Sequence, residues 1–574
     1  MIENINKNTK DPTVKHIILE VLKQHPYITA LLVFTAAGSV FATLVPPRIL
    51  QVIIDKFLVP ASSSAYPGGS TKKSLYIIAA FYFGSFVIVG VLDVIRETIL
   101  AMAGQKITVT LKRKMMKKIS HLPSLYFTEN ESGEIVSRVT NDVDAIQSLF
   151  TNGIVGMIVD LFRIIGIIIS MWLFSFILGI FILCILPLIY MLTRFFQKKM
   201  LSAQKRKRTI IGTVNGFVPE TVRNIRMIRS FGKESYMESR YADCLQNSYD
   251  TIEKVNLYDS VFSPVIRVLS SVVIAAVAVF ASAHFSFAPI TAGIAAASIQ
   301  YILDIFTPVG NLGMELQSIQ SAVAGITRVD SFFAEAEEGK KDEASAIALL
   351  EKTKREGPPP LVFDHVTFSY GNGRLILDDV SFSVQPGQRV TFSGRTGAGK
   401  STLFHLIPGL LVPSKGSVRI GGIDVQTIPN NLKRRIFGYV PQHFDIVRGT
   451  VADQLTLGDT EISESRIEQV LVFIGLLDYV KQLKDGLSTP MGTDLFSQGQ
   501  LQLLAVARAI VSDPPVLLLD EITANLDSET EKKLLNVLEE AGRGRIVLSV
   551  SHRLSQQLSC DRLLTVENGK VTEC

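Results

Sequence analysis

Apolar residues are spread unevenly along the chain. From Pro26 to Pro47, "PYITALLVFTAAGSVFATLVPP" carries no charge, and a membrane-crossing helix needs about 20 such residues. A second uncharged run covers Leu75 to Leu92. Ile164 to Leu192 is uncharged throughout, its apolar pattern reaches back to Leu149, and it predicts two spans joined by a tight turn. Val268 to Leu303 predicts another double span, broken near "HFSFAP". Six membrane-crossing helices follow from this pattern, since runs of such length rarely belong to soluble helices. Beyond residue 355 the rhythm changes to short bursts. "LVFDHVTFSY" and "VSFSVQPGQRVTFSG" alternate as β-strands. Between the two regimes, "AEAEEGKKDEASAIALLEKTKREGPPP" is charged and closes on three prolines, which reads as a linker. The expected boundaries are an N-terminal cytoplasmic segment over 1–25, a transmembrane domain over 26–330, a linker over 331–358 and a second domain over 359–574.

Composition agrees with a mixed membrane and soluble chain. A chain of 574 residues is too long for one core. Its 47% hydrophobic and 19% charged residues, with a mean hydropathy of +0.31, are unusual for a soluble protein. The net charge of +5 matters less than its placement. Lys and Arg cluster in 104–145 ("KRKMMKK") and 194–258 ("KKMLSAQKRKR"), while the connections near 60–73, 173 and 284 carry few. Positive loops stay inside, so both long loops and both chain ends are expected in the cytoplasm. Loops of this length are expected to be helices that carry the spans into the cytosol. Their basic charge therefore belongs to membrane orientation, and no nucleic-acid partner is expected. The polar start has no cleavable leader pattern. Cys184, Cys244, Cys560 and Cys574 lie too far apart for a metal or disulfide framework and read as ordinary thiols. Four ionisable residues fall at or within the spans. Asp160 and Arg163, three apart, are expected to neutralise each other on one helix face. Asp304 has no evident local partner and is expected either to line a substrate path or to face interfacial water, and Asp93 is a second candidate for the path.

The second domain carries phosphate chemistry. "GRTGAGKST" follows a strand, opens a helix and matches the full phosphate-loop pattern from Gly394 through Arg395, Thr396, Gly397, Ala398 and Gly399 to Lys400, Ser401 and Thr402. Its glycines let backbone N–H groups wrap phosphates at a helix N-terminus. Lys400 is placed for the outer phosphates, and Ser401 offers a hydroxyl to Mg²⁺. Downstream, "PVLLLDE" is a buried strand ending in two carboxylates. Asp520 is expected to hold Mg²⁺ and Glu521 to activate the attacking water.

Taken in order, Tyr370, "GRTGAGKST", "YVPQ", "FSQGQ", "VLLLDE", "ANLD" and "SHRLS" resemble the nucleotide-binding domain of an ATP-binding cassette protein, and the preceding spans resemble its exporter-type half-transporter. The resemblance covers essentially the whole chain. It implies an all-α six-helix transmembrane domain (exporter type, type IV), then an α/β phosphate-loop domain with an antiparallel β subdomain and a helical subdomain. It further implies an ATPase coupled to transport across the cell membrane, with ATP and Mg²⁺ as cofactors. Tyr370 would stack on adenine. Gln442 would reach the γ-phosphate and Mg²⁺, together with the Mg²⁺ ligands Ser401 and Asp520, and His552 would contact the γ-phosphate. "SLYFTENESGEIVSRVTNDV" resembles the first cytoplasmic loop of the family. "RSFGKESYMESRY" resembles the second, whose short helix docks on the nucleotide domain of a partner chain.

In this family ATP lies between two nucleotide domains, and the signature of one, usually LSGGQ, faces the phosphate loop of the other. Here the signature reads Phe496, Ser497, Gln498, Gly499, Gln500. Ser497, Gly499 and Gln500 are kept, while Gln498 stands where glycine is usual. The preceding "MGTDL" lacks the family's glutamate, "ANLD" replaces SALD, and "LQLL" replaces the usual R-Q-R-L. These departures gather on the face shown to a partner, whereas the chain's own ATP-handling residues are intact. That asymmetry resembles the glutamate-bearing subunit of a heterodimeric bacterial multidrug exporter; a homodimer tolerating Gln498 is the alternative. The substrate implied is an amphipathic drug or lipid. Peptides as substrate, uptake of metal chelates by the same fold, and an ATP-gated channel are the alternatives.

Overall fold

A computed structural model of the protein describes residues 13–58, 70–282, 290–371, 373–492, 494–520, 528–550 and 560–573. The helices of the first half are α1 (Val14–Gln24), α2 (Pro26–Thr43), α3 (Val45–Ile53), α4 (Ser70–Ile119), α5 (Ser124–Glu129), α6 (Ser132–Ser137), α7 (Val143–Ser148), α8 (Val155–Phe174), α9 (Phe176–Arg223), α10 (Ile225–Ser230), α11 (Glu234–Ser282) and α12 (Ala292–Ala334). Among the described residues, five helical segments are long and apolar enough to cross a membrane: Pro26–Phe57, Lys73–Ile119, Ser132–Phe174, Phe176–Arg223 and Ala292–Val309. The remaining expected span falls on Pro264–Val279 of α11, an apolar helical stretch shorter than those five. The break expected near "HFSFAP" lies outside the described residues.

The tight turn expected between the third and fourth spans is a single residue. Ser175 adopts φ −158° and ψ 128°, which stops α8 and starts α9. Helix α4 contains 50 residues and is therefore about 75 Å long at 1.5 Å per residue, against a hydrocarbon layer of about 30 Å. The long loops are thus helical continuations of the spans. Phe41, Phe83 and Leu173 are exposed on the bundle exterior, as a lipid-facing surface requires. Its interior is packed by Ile167, Met171, Val277, Tyr301 and Ile305. Tyr301 donates its hydroxyl to the Leu44 carbonyl at 2.6 Å, at the junction of α2 and α3. Asp55 accepts from the Thr291 hydroxyl (2.7 Å) and the Gly293 amide (2.8 Å), which joins the N-terminus of α12 to the end of the first span.

The charged residues in the spans pair differently from expectation. Arg163 Nη2 reaches Asp304 Oδ1 at 3.6 Å, while Asp160 accepts from Asn311 Nδ2 at 3.2 Å. Spacing along one helix identified the nearest carboxylate in sequence, but the ion pair forms across helices, to a residue on α12. Asp93 is salt-bridged to Arg96 (3.1 Å) and accepts from Ser39 Oγ (2.7 Å).

The second half contributes α13 (Glu343–Glu356), β1 (Leu361–Ser369), β2 (Leu375–Val384), β3 (Arg389–Ser393), α14 (Lys400–Leu406), β4 (Lys415–Ile420), β5 (Ile423–Asp424), α15 (Asn430–Ile436), β6 (Phe437–Val440), α16 (Val451–Thr456), α17 (Glu464–Phe473), α18 (Leu477–Gln482), α19 (Gln498–Ile510), β7 (Val516–Asp520), α20 (Ser528–Ala541), β8 (Ile546–Val550), β9 (Arg562–Glu567) and β10 (Lys570–Glu573). Two sheets form: an antiparallel one ordered β2-β1-β4-β5, and a mainly parallel one ordered β10-β9-β3-β8-β7-β6. One core fills the space around both sheets and includes Phe363, Phe368, Phe392 and Phe404. Another, built on Leu471, Leu504, Val506 and Leu519, holds α16 to α19 as a helical subdomain.

The chain divides into two compact units whose boundaries are interleaved. One takes Met1–Ser120 and Ser132–Glu335, the other His121–Glu131 and Ala336–Cys574. Helix α5 thus belongs with the sheets. Leu125 packs against their core, Glu129 Oε1 accepts from the Gly371 amide at 3.3 Å, and the His121 carbonyl accepts from the Glu338 amide at 2.9 Å. The stretch expected as a linker carries α13, capped by Asp342 and anchored by buried Ala346 and Leu349 in the same core.

Candidate functional site: the phosphate loop and the signature helix

The phosphate loop leaves the C-terminal end of β3, the end of a parallel sheet where ligands gather. Gly394, Gly397 and Gly399 adopt φ of +144°, +83° and +106°, a region that side chains rarely enter. Gly394 also has no room for a side chain, because a Cβ there would collide with the Val566 carbonyl oxygen. Gly399 is the N-cap of α14 and leaves that helix start without a side-chain cap, so its first N–H groups face outward for an anion. The strand and helix on either side are clamped together. Phe392 on β3 and Phe404 on α14 meet edge to face with centroids 5.9 Å apart, a contact worth about 0.5–1.5 kcal/mol beyond its burial.

Lys400 is the first residue of α14 and only 6% exposed. Its Nζ donates to the Gly394 carbonyl at 2.7 Å and the Arg395 carbonyl at 3.0 Å, so the ammonium sits inside the curl of the loop. Thr402 is buried and shares a hydrogen bond of 3.2 Å with the Tyr370 hydroxyl. Tyr370 is therefore brought to the loop from the end of β1, and its ring meets Phe368 edge to face. Arg395, Thr396 and Ser401 are exposed around the loop. This cradle of left-handed glycines, outward amides and one buried cation fits a polyphosphate.

Asp520 ends β7, two strands away from β3 in the sheet. Its Oδ2 accepts from the Tyr439 hydroxyl at 3.1 Å. Burial, and next the charge of Asp520, push the Tyr439 phenol well above its ordinary range, so it stays a donor. Tyr439 holds one carboxylate oxygen and leaves the other for a cation, so Asp520 and the Ser401 hydroxyl suit a divalent metal of the Mg²⁺ type. Glu521, the "ANLD" segment and His552 lie outside the described residues.

The signature segment answers why Gln498 is tolerated. Ser497 is the N-cap of α19: its Oγ accepts from the Gln500 amide at 3.3 Å, and Gln500 Oε1 accepts from the Ser497 amide at 2.8 Å. Phe496 is buried beneath this start against Tyr479. Gln498 is the first helical residue and exposed, so the local backbone does not demand glycine there. Gly499 is different: it is buried, and a Cβ would collide with Thr530 of α20. Of the two positions where the family's signature usually has glycine, packing within the domain requires it only at the second, Gly499.

Helix α19 also holds the segment carrying Gln442. Gln502 Nε2 donates to the Gln442 carbonyl at 2.6 Å. Six residues further along the helix, Arg508 stacks over Phe444 at 4.0 Å and donates to the Asp445 carbonyl at 3.1 Å. Burial first, then the nearby Arg434, lower the Arg508 guanidinium to about 10, which leaves it charged at neutral pH. Signature helix and Gln442 segment are thereby bolted together. Sequence reading missed Tyr439, Gln502 and Arg508. Their signal was polar residues in apolar runs, "FGYV" and "LQLLAVARAI".

Residues 29–309 match the family described as ABC transporter transmembrane region, and residues 377–524 the family described as ABC transporter. Together these segments cover well over half of the chain. The chain is 27% identical over 565 residues to a putative ABC transporter ATP-binding protein, exp8, of Streptococcus pneumoniae, covering 98% of this chain and 94% of that protein. It is 28% identical over 560 residues to an ATP-dependent lipid A-core flippase of Pseudomonas fluorescens, with 96% and 91% covered. It is 26% identical over 580 residues to a multidrug resistance ABC transporter ATP-binding and permease protein of Lactococcus lactis, with 100% and 94% covered. Among solved structures, a bacterial Atm1-family ABC exporter with ATP bound superposes with a TM-score of 0.74 at 23% identity, over 96% of this chain and 95% of that one.

Proposed function

Since the chain belongs to the ABC transporter family, as an exporter-type half-transporter that couples ATP hydrolysis to transport, we propose that it exports amphipathic small molecules, drugs or lipids, across the cell membrane as one half of a heterodimer. The observation that carries the reading is the phosphate cradle of Gly394, Gly399 and Lys400 on the same chain as a membrane-spanning bundle. The relatives named for multidrug resistance and for lipid A-core flipping support the substrate class.

In this reading Lys400 and the loop amides bind the phosphates, Tyr370 supports the base, and Ser401, Asp520 and Gln442 hold Mg²⁺. The metal, when bound, neutralises phosphate charge. Glu521 draws the proton from the attacking water, and His552 and Gln442 orient the γ-phosphate end. Ser497, Gly499 and Gln500 are offered to the ATP of the partner.

Two observations support a second chain. Gln498 and Ser497 are exposed at the start of α19. At α10, Met227 and Phe231 are also exposed, Phe231 at 72%, although they are apolar and lie at the tip of the second cytoplasmic loop. An apolar tip on an otherwise basic loop suits docking on a partner. The departure at Gln498 favours a partner with its own, different signature.

The purified chain alone is expected to hydrolyse ATP slowly, with the rate rising at least tenfold on co-expression with its partner half-transporter. Full activity of the chain alone would make it a homodimer. Within the assembled complex, Gln498→Gly should leave turnover within a few-fold, because this residue serves the site whose carboxylates come from the partner. A tenfold rise on that substitution would remove the case for two unequal sites.

A further inference from the structure

The membrane unit holds a partly open cavity of about 570 Å³, lined from α2, α4, α8 and α12, within the range of small-molecule sites, roughly 300–1,000 Å³. Four carboxylates line it, those of Asp93, Glu97, Asp160 and Glu315, against the two guanidinium groups of Arg96 and Arg163. The guanidinium groups are already engaged. Arg96 pairs with Asp93 at 3.1 Å and Glu97 at 2.9 Å, and Arg163 turns to Asp304, outside the lining, at 3.6 Å. Asp160 accepts from Asn311. The cavity therefore holds an excess of negative charge.

Glu315 is the group left over. It is 7% exposed, and its Oε2 has no hydrogen-bond partner among the described residues. Its Oε1 presses against α8 where Gly156 has no side chain; a Cβ there would stand 2.5 Å from that oxygen. Burying a carboxylate without a partner costs several kcal/mol, so a fold that keeps one facing a cavity has kept an acceptor for something that enters. A metal ion does not suit it, since among the described residues no three His, Cys, Asp or Glu side chains converge as ligands. Apolar Val40, Leu100, Val155 and Val159 share the wall with the carboxylates, which suits a ligand with a positive group on a hydrocarbon body.

We propose that this cavity binds the cationic group of an amphipathic organic ligand, with Glu315 as its counter-ion and Asp160 as a second acceptor. The inference rests on the transport reading above and adds the charge of the substrate to it. A cation entering here replaces water by a carboxylate in a site of low dielectric, where a charge pair is worth more than in solution. A neutral ligand of the same shape gains only the apolar contacts.

The test uses the full chain in lipid nanodiscs without nucleotide. Its probes are a pyrene-butyl trimethylammonium ion and its neutral tert-butyl isostere, with binding read from pyrene fluorescence. The expected result is at least tenfold tighter binding of the cation, lost in Glu315→Gln, with the neutral probe unchanged within twofold as the control for folding. Glu315→Asp should recover part of the preference. Glu97→Gln, whose carboxylate is already paired with Arg96, should keep it. Equal cation binding by Glu315→Gln and the wild-type chain, or equal loss of both probes, overturns the proposal. In sealed vesicles of the co-expressed complex, ATP-driven movement of both probes without charge preference overturns the site alone. A preference that depends on Glu315, without ATP-driven movement of either probe, supports the site and removes the transport reading.

Discussion

Replacing Glu521 by Gln is expected to lower ATP turnover of the assembled transporter by on the order of 10²–10⁴-fold, the usual cost of losing a positioned general base, while ATP binding persists. The expectation comes from chain order and sheet geometry. Asp520 ends β7, which runs parallel to β6 and β8, at the same edge of the sheet where the phosphate loop leaves β3, and Glu521 follows it in sequence. Gln keeps nearly the shape of Glu and removes only the charge, so nucleotide affinity should stay within a few-fold. Turnover and binding of a fluorescent ATP analogue, measured on the same complex, decide it. Residual turnover above a tenth of the parent rate would assign the base to another residue.

Lys400→Ala should be as severe for a different reason. Its ammonium is buried, donates to two carbonyls of its own loop and is the one lysine of the cradle. Removing it should reduce turnover by at least ~10²-fold, as for other preorganised electrostatic groups, and weaken ATP binding at least tenfold. Stability without nucleotide should barely change, since a buried charge is costly and its loss offsets the two lost hydrogen bonds. Thermal unfolding separates these effects: Tm without ATP stays close to the parent value, whereas the rise in Tm with ATP disappears. Lys400→Arg should not rescue binding, because a planar guanidinium is too broad for the curl of the loop. A parent-like ATP-induced rise in Lys400→Ala would remove Lys400 from the binding role.

The phosphate cradle was legible in the sequence because its physics is local. Glycines at fixed intervals set the backbone, and the residue after Gly399 must open a helix. The spans were legible because an uncharged run of sufficient length has few other uses. Pairings between distant segments were not. Arg163 lies three residues from Asp160 but salt-bridges to Asp304, and no periodicity reports a contact across helices. Tyr439 reaches Asp520 only because β6 and β7 lie side by side in register, with Tyr439 opposite Leu518. Gln498 stands where the family usually has glycine, and its exposed place at the start of α19 makes no steric demand within the domain. Its neighbour Gly499 does, through a helix that begins nearly thirty residues later in the sequence.

The placement of α5 has a consequence during synthesis. Glu129 and its hydrogen-bond partner Gly371 are 242 residues apart in sequence. At about 5–20 residues per second, roughly 10–50 s separate their emergence from the ribosome. Throughout that interval α4 and α8 can settle in the bilayer, but Leu125 and Glu129 between them have no surface to meet. The nascent chain therefore carries this segment without its packing partner until the sheets are made. A chaperone that shields this segment, or a pause in translation before Ala336, would act on assembly before any nucleotide is bound.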